Sequence, residues 1–311
     1  MAIKERTVLI TGGLGQIGYF LYQSLKESYK IHILDDETSS KFNPPENVIF
    51  HKGSIQDTKF LELIPAMDYV IHCAAQISIN KSVIDPIKDA QTNILGTLNL
   101  LEYAKNSNVK KFIYLSSAAT IGQPHFLPIT EEHPRNPISP YGLSKYVAEK
   151  YALLYADLFN LNSIVILPFN LYSPFQKQDD PYAGVIYKFI SAVLQDLPPK
   201  IEGDGLQTRD FIHASDAAIA IKLALEKDTG SQRIFNIGSG KGTPILELAN
   251  MIIKISGKTI TPIHVEERIG DIRDSYCSIE KAKSILGFNP SVNLEDGIAE
   301  LYNHIKSNKS P

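Results

Sequence analysis

The chain is poor in the features that mark small secreted, membrane and metal-binding proteins. It has 311 residues, no tryptophan and two cysteines, Cys73 and Cys277, which do not make a disulfide framework. No apolar stretch approaches the ~20 residues that span a bilayer. The eight histidines are scattered without paired metal-ligand spacing, which predicts that the protein holds no metal.

The chain also lacks an excess of charge of either sign. Its net charge of −3 gives no electrostatic attraction for nucleic acid, and no Lys/Arg-rich run indicates a membrane surface. Residues 1–7 enter the first predicted strand at once, which leaves no room for a secretory signal peptide. We therefore expect a protein of the reducing cytoplasm that binds neither nucleic acid nor membranes. With 43% hydrophobic residues it can bury one large core or two closely packed ones.

A glycine-rich segment near the N-terminus has the order expected of a dinucleotide-binding turn. The apolar run 7–10 predicts a buried parallel strand, and residues 19–25 show helical spacing. Between them, Gly12, Gly15 and Gly18 would let the backbone approach a pyrophosphate at the positive end of the helix. A tight strand-to-helix connection without a ligand is the alternative.

Two acidic residues end the second predicted strand, which covers residues 31–34. In a dinucleotide-binding fold, an acid at this place accepts a hydrogen bond from the 2′-hydroxyl of the adenosine ribose and repels a 2′-phosphate. This favours NAD over NADP, with Asp35 as the first choice and Asp36 as the second. Surface carboxylates at a strand end are the alternative.

A tyrosine and a lysine share one face of a long predicted helix. Ser139 and Pro140 suit the N-cap and the first position of a helix that runs to residue 159. Tyr141 and Lys145 are four residues apart, so the phenol and the ammonium can reach one site. A free phenol has a pKa near ~10, but a nearby cation and a helix N-terminus should lower the pKa of Tyr141. The pair predicts a base that takes an alcohol proton while the dinucleotide takes hydride; two partly exposed surface residues are the alternative.

Further strand-like runs alternate with helical stretches in the first half of the chain. They cover residues 48–50, 69–73, 111–115 and 163–167. Alternating strands and helices predict an α/β fold with a doubly wound parallel sheet of the Rossmann type. Ser117 follows the strand before the Tyr141 helix, so its hydroxyl should lie near Tyr141. A turn serine that satisfies local backbone groups is the alternative.

Nine segments, in order along the chain, carry a family resemblance. They are TGGLGQIG at 11–18, IHCAAQ at 71–76, NILGTLNLLEYAK at 93–105, YLSSAAT at 114–120, SPYGLSK at 139–145, PFNLYSP at 168–174, GDGLQTRDFIHASDAA at 203–218, FNIGSG at 235–240 and ERIGDIRDS at 267–275. On these segments the chain resembles the extended short-chain dehydrogenase/reductase superfamily, specifically its NAD-dependent nucleotide-sugar epimerase/dehydratase family. The resemblance runs nearly end to end.

The resemblance implies a role for each matching residue. Tyr141 would be the general base and acid on the sugar hydroxyl, Ser117 would orient that hydroxyl, and Lys145 would hold the nicotinamide ribose. The residues that it places around NAD, besides Tyr141 and Lys145, are Gly12, Gly15, Gln16, Ile17, Gly18, Asp35, Asp36, Ser54, Ile55, Ala74, Ala75, Gln76 and Asn93. Ser54 stands where the family often has an acid, which moves one adenine contact to Asp57 or removes it.

The resemblance also implies which residues hold a nucleotide-sugar substrate. Asn170, Arg209 and Arg273 match positions that bind its nucleotide and diphosphate, together with Ser117 and Ser275 at the sugar. The planar fork of arginine suits phosphate oxygens. For Arg209 the alternative is an ion pair with adjacent acids, and Arg273 is likewise flanked by acids, at positions 271 and 274.

Within the family, 4-epimerisation is the predicted reaction. Dehydratases carry Thr-Asp-Glu where this chain has Ser117, Ala118 and Ala119, so no acid/base pair can expel a C6 hydroxyl. A 4-epimerase needs only transient C4 oxidation, rotation of the 4-keto sugar and return of the hydride. Ser275 fills a slot where epimerases restricted to unsubstituted hexoses have a bulky tyrosine, which predicts that UDP-N-acetylhexosamines join UDP-hexoses as substrates.

Two alternatives to epimerisation remain at this point. One is a nucleotide-sugar ketoreductase or another NAD-dependent nucleotide-sugar oxidoreductase, which would use the same three residues. The other is a non-catalytic NAD-binding regulatory protein. Such proteins commonly lose the tyrosine or the lysine, whereas this chain keeps Ser117, Tyr141 and Lys145 together.

The resemblance finally implies a domain division and an oligomer. Residues 1–168 would form the NAD-binding Rossmann domain, with return segments near 210–238. Residues 169–209 and 239–311 would form a smaller, mainly C-terminal α/β substrate-binding domain. The predicted helices 90–106 and 140–160 have broad apolar faces, which in this family pair across a dimer axis, so a homodimer is expected. Coverage of both faces within one chain is the alternative.

Overall fold

Strands and helices alternate along most of the chain. The computed structural model describes residues 6–40, 42–175, 184–267 and 272–309. Its strands are β1 (Thr7–Thr11), β2 (Lys30–Asp35), β3 (Ile49–Lys52), β4 (Tyr69–His72), β5 (Lys111–Leu115), β6 (Ser163–Pro168), β7 (Asn170–Tyr172), β8 (Lys200–Glu202), β9 (Thr208–Arg209), β10 (Phe211–His213), β11 (Ile234–Ile237), β12 (Thr243–Pro244), β13 (Ile263–Val265) and β14 (Asp274–Ser275). Its α-helices are α1 (Gln16–Leu25), α2 (Thr58–Glu62), α3 (Ile79–Ile84), α4 (Pro86–Ala90), α5 (Gly96–Asn106), α6 (Pro140–Phe159), α7 (Val185–Leu194), α8 (Ala214–Glu226), α9 (Ile245–Ser256) and α10 (Leu294–Lys309).

Seven strands form one parallel sheet in the order β11-β6-β5-β4-β1-β2-β3. β6 is buried over its whole length, as expected of a strand covered on both faces. The strand order reverses between β1 and β4, and ligands of doubly wound sheets bind in the crevice at such a point. The six strands expected in the first half are confirmed, with ends moved by at most two residues. The doubly wound fold is therefore confirmed.

Helices cover both faces of the large sheet. α1 and α8 pack against each other on one face, over a core of small and branched side chains. α5 and α6 share the opposite face, over a second core. α6 begins as predicted, because the Ser139 hydroxyl accepts a hydrogen bond from the Gly142 amide at 3.0 Å and Pro140 is the first helical residue. Asn160, with a φ of 54°, ends it.

The helix predicted over residues 90–106 differs from a regular α-helix. A π-helical turn, Gln91–Leu95, lies between α4 and α5. Such a turn holds one extra residue and rotates the helix face that follows it. It contains Asn93, which is 2% exposed and whose carbonyl accepts a hydrogen bond from the Thr97 hydroxyl at 2.7 Å. Hydrophobic spacing alone does not reveal this turn.

The C-terminal half has its own core and also contributes to the large sheet. α7, α9 and α10 pack together over an apolar cluster, beside the three-stranded sheet β12-β9-β14. β11 pairs with β6, and α8 contacts α1, so residues from 210–238 lie on the large sheet. The division into an NAD-binding and a substrate-binding domain stays a prediction. Within the described residues, no helix is long and apolar enough to cross a membrane, and no three His, Cys, Asp or Glu side chains are grouped to hold a metal.

Candidate active site

The glycine-rich turn lies against the loop that follows β4. Gly12 has a φ of +65°, and a Cβ atom there would lie 2.7 Å from the backbone of Ala74. A Cβ atom on Gly18 would lie 2.1 Å from the carbonyl oxygen of Gly13. Gly15 is the N-cap of α1, where no side chain accepts a hydrogen bond from the first-turn amides. These glycines leave the helix N-terminus open to an anion, as a pyrophosphate site requires.

Asp35 and Asp36 face different groups. The Asp35 carboxylate accepts hydrogen bonds from the Leu14 amide of the glycine-rich turn at 3.0 Å and from the Glu37 amide at 2.8 Å. Among the described residues, the Asp36 carboxylate accepts hydrogen bonds only from the nearby Thr38, from its amide at 3.0 Å and its hydroxyl at 2.6 Å. The geometry therefore favours Asp35 as the acid for the adenosine ribose.

The residues after β3 have mainly local contacts. The Ser54 hydroxyl accepts a hydrogen bond from the Gln56 amide at 3.2 Å. Ile55 is 4% exposed, and a Cβ atom on Gly96 would lie 2.7 Å from its Cδ1 atom. The Asp57 carboxylate accepts from the Phe60 amide at 3.1 Å as the N-cap of α2, so it already has a structural role.

Asn93 joins the loop after β4 to the helix that carries the tyrosine and lysine. Its side chain exchanges hydrogen bonds with both backbone groups of Gln76, at 2.9 and 3.0 Å, and donates to the Ser144 hydroxyl at 3.1 Å. Ala74, whose amide donates to the Thr11 hydroxyl at 3.3 Å, and Ala75 lie just before this junction. Gln16 and Ile17 lie in the first turn of α1. The structure thus brings together the residues expected on the pyrophosphate and nicotinamide side.

Ser117, Tyr141 and Lys145 also come together. Tyr141 and Lys145 are buried, at 9% and 4% exposure, one turn apart on α6. The Tyr141 side chain lies close enough to Ser117 for the serine to lower its pKa, and the Tyr141 amide donates to the Ser82 hydroxyl at 3.0 Å. The Lys145 Nζ atom lies 4.4 Å from the centroid of the Tyr114 ring, a favourable cation–π contact. The alternative of two partly exposed surface residues is wrong.

The expected direction of the Tyr141 pKa is wrong for this geometry. Burial raises the pKa of Tyr141 above its usual value, while the Ser117 hydrogen bond lowers it and the Asp89 charge raises it further. Burial also lowers the pKa of Lys145 to about 8, against the opposing effects of Cys73, Glu149 and Asp89. Loss of hydration outweighs the local help from the lysine and the helix N-terminus because both groups are buried.

Four of the five residues expected to hold substrate lie on or beside strand β9. Ser275 lies opposite Arg209 in the pairing of β14 with β9. The Arg209 Nη1 atom donates to the Thr208 carbonyl at 2.8 Å and to the Arg273 carbonyl at 3.5 Å. The Asn170 amide group donates to the Asp210 carbonyl at 3.0 Å. These polar groups form one contiguous region.

Arg273 pairs with an acid that the sequence did not predict. Asp210, beside Arg209, is fully buried and accepts hydrogen bonds from Ser239 and Cys277. Arg273 instead forms a two-pronged ion pair with Asp204, at 2.7 and 2.8 Å. The hydrogen bonds from Arg273 hold the pKa of Asp204 at about 2. Residues 268–271 of the ninth family segment lie outside the described residues.

Two acidic residues near the site were missed from the sequence. Asp204 stands between two glycines with φ of +70° and +78°. Its carboxylate meets Arg273, which is distant in sequence. Asp89 is 1% exposed and lies four residues before Asn93. The spacing of an acid and an amide on one helical face was a usable signal for Asp89.

Comparison with known proteins identifies what the chain is similar to. Residues 8–238 match a family model described as the NAD dependent epimerase/dehydratase family. A UDP-glucose 4-epimerase of Mycolicibacterium smegmatis is 36% identical over 304 residues, which is 94% of this chain and 96% of that protein. Two crystal structures superpose with a TM-score of 0.92, each over 98% of this chain and 100% of its own. One is UDP-glucose 4-epimerase of Thermotoga maritima with UDP-glucose, at 35% identity; the other is UDP-N-acetylglucosamine 4-epimerase of Methanobrevibacter ruminantium with UDP-N-acetylmuramic acid, at 34%.

Proposed function

The chain belongs to the NAD-dependent epimerase/dehydratase family, and on this premise we propose that it is a UDP-sugar 4-epimerase acting on UDP-hexoses or UDP-N-acetylhexosamines. It is an epimerase with NAD as cofactor. The observation that carries the proposal is the burial of Tyr141 beside Ser117, with the buried Lys145 one helical turn away. Gly12 packs against the Cys73–Ala74 backbone, and Lys145 acts electrostatically on Cys73, so the catalytic residues border the dinucleotide turn.

The residues present fit NAD and the proton transfer that the reaction needs. Gly12, Gly15 and Gly18 would hold its pyrophosphate, and Asp35 its adenosine ribose. NAD, when bound, supplies the acceptor for the hydride of C4 and returns it. Tyr141 would take the proton of the C4 hydroxyl during oxidation and return it to the C4 oxygen when the hydride goes back to the opposite face of C4.

Ser117 has a specific task in this proton transfer. Its hydrogen bond lowers the pKa of Tyr141 against burial, so it favours the phenolate that must accept the proton. Lys145 adds a positive charge on the same helix face, which favours phenolate as well. Neither Ala118 nor Ala119 carries an acid, so a proton donor for loss of a C6 hydroxyl is missing at the place where dehydratases have one.

The substrate region supports a firm hold on the diphosphate and a loose hold on the sugar. Arg209 and Arg273 supply planar, charged donors for phosphate oxygens, and Asn170 lies beside them. Ser275 is small and half-buried, which leaves space for an N-acetyl group. The two similar crystal structures hold a UDP-hexose and a UDP-N-acetylated sugar, and both ligands support a UDP-sugar here.

Product analysis without added cofactor tests this proposal. The purified protein is incubated with UDP-glucose, UDP-galactose and their N-acetylated counterparts. We expect interconversion of a C4 pair without net NADH, and turnover of both pairs if the space at Ser275 is used. The Ser275→Tyr variant is the matched control and should lose the N-acetylated pair while keeping the other. No interconversion of any of the four sugars would contradict the proposal.

We also propose a homodimer. Leu95, Leu143, Leu154 and Leu158, on the faces of the predicted helices 90–106 and 140–160, are 45–62% exposed in the single chain. The alternative, in which one chain covers both faces, therefore does not apply to these four side chains. Exposed large apolar side chains on two packed helices are typical of a protein interface.

A further inference from the structure

Four charged side chains lie buried on or beside α6. Asp89, Lys145 and Glu149 are 1%, 4% and 1% exposed, and the Arg135 side chain is 7% exposed. Two of them pair, because Arg135 Nη2 lies 3.7 Å from Glu149 Oε1 and Glu149 also accepts from the Ser116 hydroxyl at 2.7 Å. Within the described part of the chain, neither Asp89 nor Lys145 is in an ion pair. Asp89 and Lys145 are therefore one acid and one base, both buried, that no ion pair among these residues accounts for.

One oxygen of the Asp89 carboxylate accepts hydrogen bonds, and the other has no partner among the described residues. Its Oδ1 atom accepts hydrogen bonds from the Gln76 side chain at 2.8 Å and from the Asn93 side chain at 3.1 Å. Its Oδ2 atom is buried and has no hydrogen-bond partner among the described residues. A buried carboxylate oxygen without a partner is costly unless an opposite charge is near. α4, which carries Asp89, packs against α6, which carries Lys145.

The other titratable groups around Lys145 do not provide that charge. Burial lowers the pKa of His72 to about 3 and raises the pKa of Cys73 to about 12, so both are neutral near pH 8. Burial raises the pKa of Tyr114 well above its usual value. Glu149 raises the pKa of Lys145 more than Asp89 does, but Glu149 already has a partner, because its Oε1 atom lies 3.7 Å from Arg135 Nη2. The unmatched negative charge is therefore Asp89.

We propose that Asp89 is the counter-charge of Lys145 and a positioning residue that keeps Lys145 an ammonium while Tyr141 exchanges its proton. This proposal rests on the proposed function of the site. Asp89 touches neither Tyr141 nor Lys145 through a hydrogen bond and acts through its charge and through Asn93, which contacts Ser144 next to Lys145.

The proposal predicts the direction of a pH effect. Asp89 raises the pKa of Tyr141, on top of the larger effect of burial, and it raises the pKa of Lys145 against burial. Removing this charge lowers the pKa of both groups. The acidic and basic limbs of the plot of kcat against pH should therefore both move to lower pH, whether a limb reports Tyr141 or Lys145. If Asp89 only fastens Gln76 and Asn93, the limbs do not move, because an asparagine oxygen accepts the same two bonds.

Asp89→Asn, with kcat measured against pH, is the test. We expect both limbs to shift to lower pH by roughly one unit or less. Asp85→Asn is the matched control: Asp85 is exposed, caps the same helix by accepting from the Lys88 amide at 3.0 Å, and its loss should not move the profile. Asp89→Glu keeps the charge and should return the limbs towards the wild-type pH. An unmoved profile in Asp89→Asn overturns the proposal.

A second measurement does not depend on turnover. The pH dependence of Lys145 acetylation by acetic anhydride, read by mass spectrometry, reports the pKa of Lys145 directly. We expect a midpoint near the wild-type value of about 8 and a lower midpoint in Asp89→Asn. Equal midpoints overturn the proposal even if none of the UDP-sugars is a substrate, so the two failures are distinguishable. If thermal unfolding shows Asp89→Asn to be misfolded, Asp89→Ser gives the same readout.

Discussion

The two faces of helix α6 each depart in part from the usual distribution of polarity. Its inner face carries Tyr141, Lys145 and Glu149, all buried, whereas its outer face carries Leu154 and Leu158 at 45% and 62% exposure. A surface helix normally buries its apolar side chains and exposes its charged ones. Side chains that break this rule indicate function on both faces: chemistry at the buried polar groups and a partner at the exposed leucines.

Tyr141→Phe breaks the inner face with the largest expected effect. The ring still fills its place, but no group remains to take the C4 hydroxyl proton, so kcat should fall by about 10²–10⁴-fold. Bound NAD, quantified by absorbance after denaturation, should stay at the wild-type level. Wild-type-like turnover in this variant would remove Tyr141 from the mechanism.

Glu149→Gln tests the buried charge on the same face. Glutamine can still accept from Ser116, but it leaves the buried Arg135 charge without its partner, which should lower the free energy of unfolding by about 3 kcal/mol. Urea unfolding gives the value. Lys150→Gln, at the next, exposed position, is the matched control and should change stability little. Equal losses in the free energy of unfolding for Glu149→Gln and Lys150→Gln would contradict the prediction that the buried charge matters more than the exposed one.

Leu154→Glu with Leu158→Glu breaks the outer face. Two carboxylates one turn apart cannot be buried without partners, so the variant should be a monomer by light scattering where the wild type is a dimer. Leu197→Glu, at a site that is 53% exposed away from α6, should stay dimeric. A monomeric wild type would contradict the dimer proposal, and so would a double variant that still forms a dimer.

Sequence reasoning predicted the features that depend on neighbours in the chain. Six of the seven large-sheet strands, the glycine-rich turn and the start of α6 follow from local spacing and capping, and the structure confirms them. Sequence reasoning failed for contacts between residues that are distant in the chain. The Asn93–Ser144 contact joins residues 51 apart and the Arg273–Asp204 pair joins residues 69 apart, so no local pattern records them. The Tyr141 pKa was misjudged for the same reason, because burial is a property of the whole fold.

Asp204→Asn sharpens the comparison between buried and exposed charge and has the smallest expected effect. The side chains of Arg273 and Asp204 are 48% and 51% exposed, so water screens this ion pair. The side chains of Arg135 and Glu149 are only 7% and 2% exposed. Because Asp204 occupies two guanidinium donors that a diphosphate needs, its loss should lower the KM for UDP-sugar by about fivefold or less and leave kcat unchanged. Asp196→Asn, which removes an exposed partner of Lys258, is the control and should alter neither constant. A higher KM in Asp204→Asn would show that Asp204 aims Arg273 at the substrate rather than competing with it.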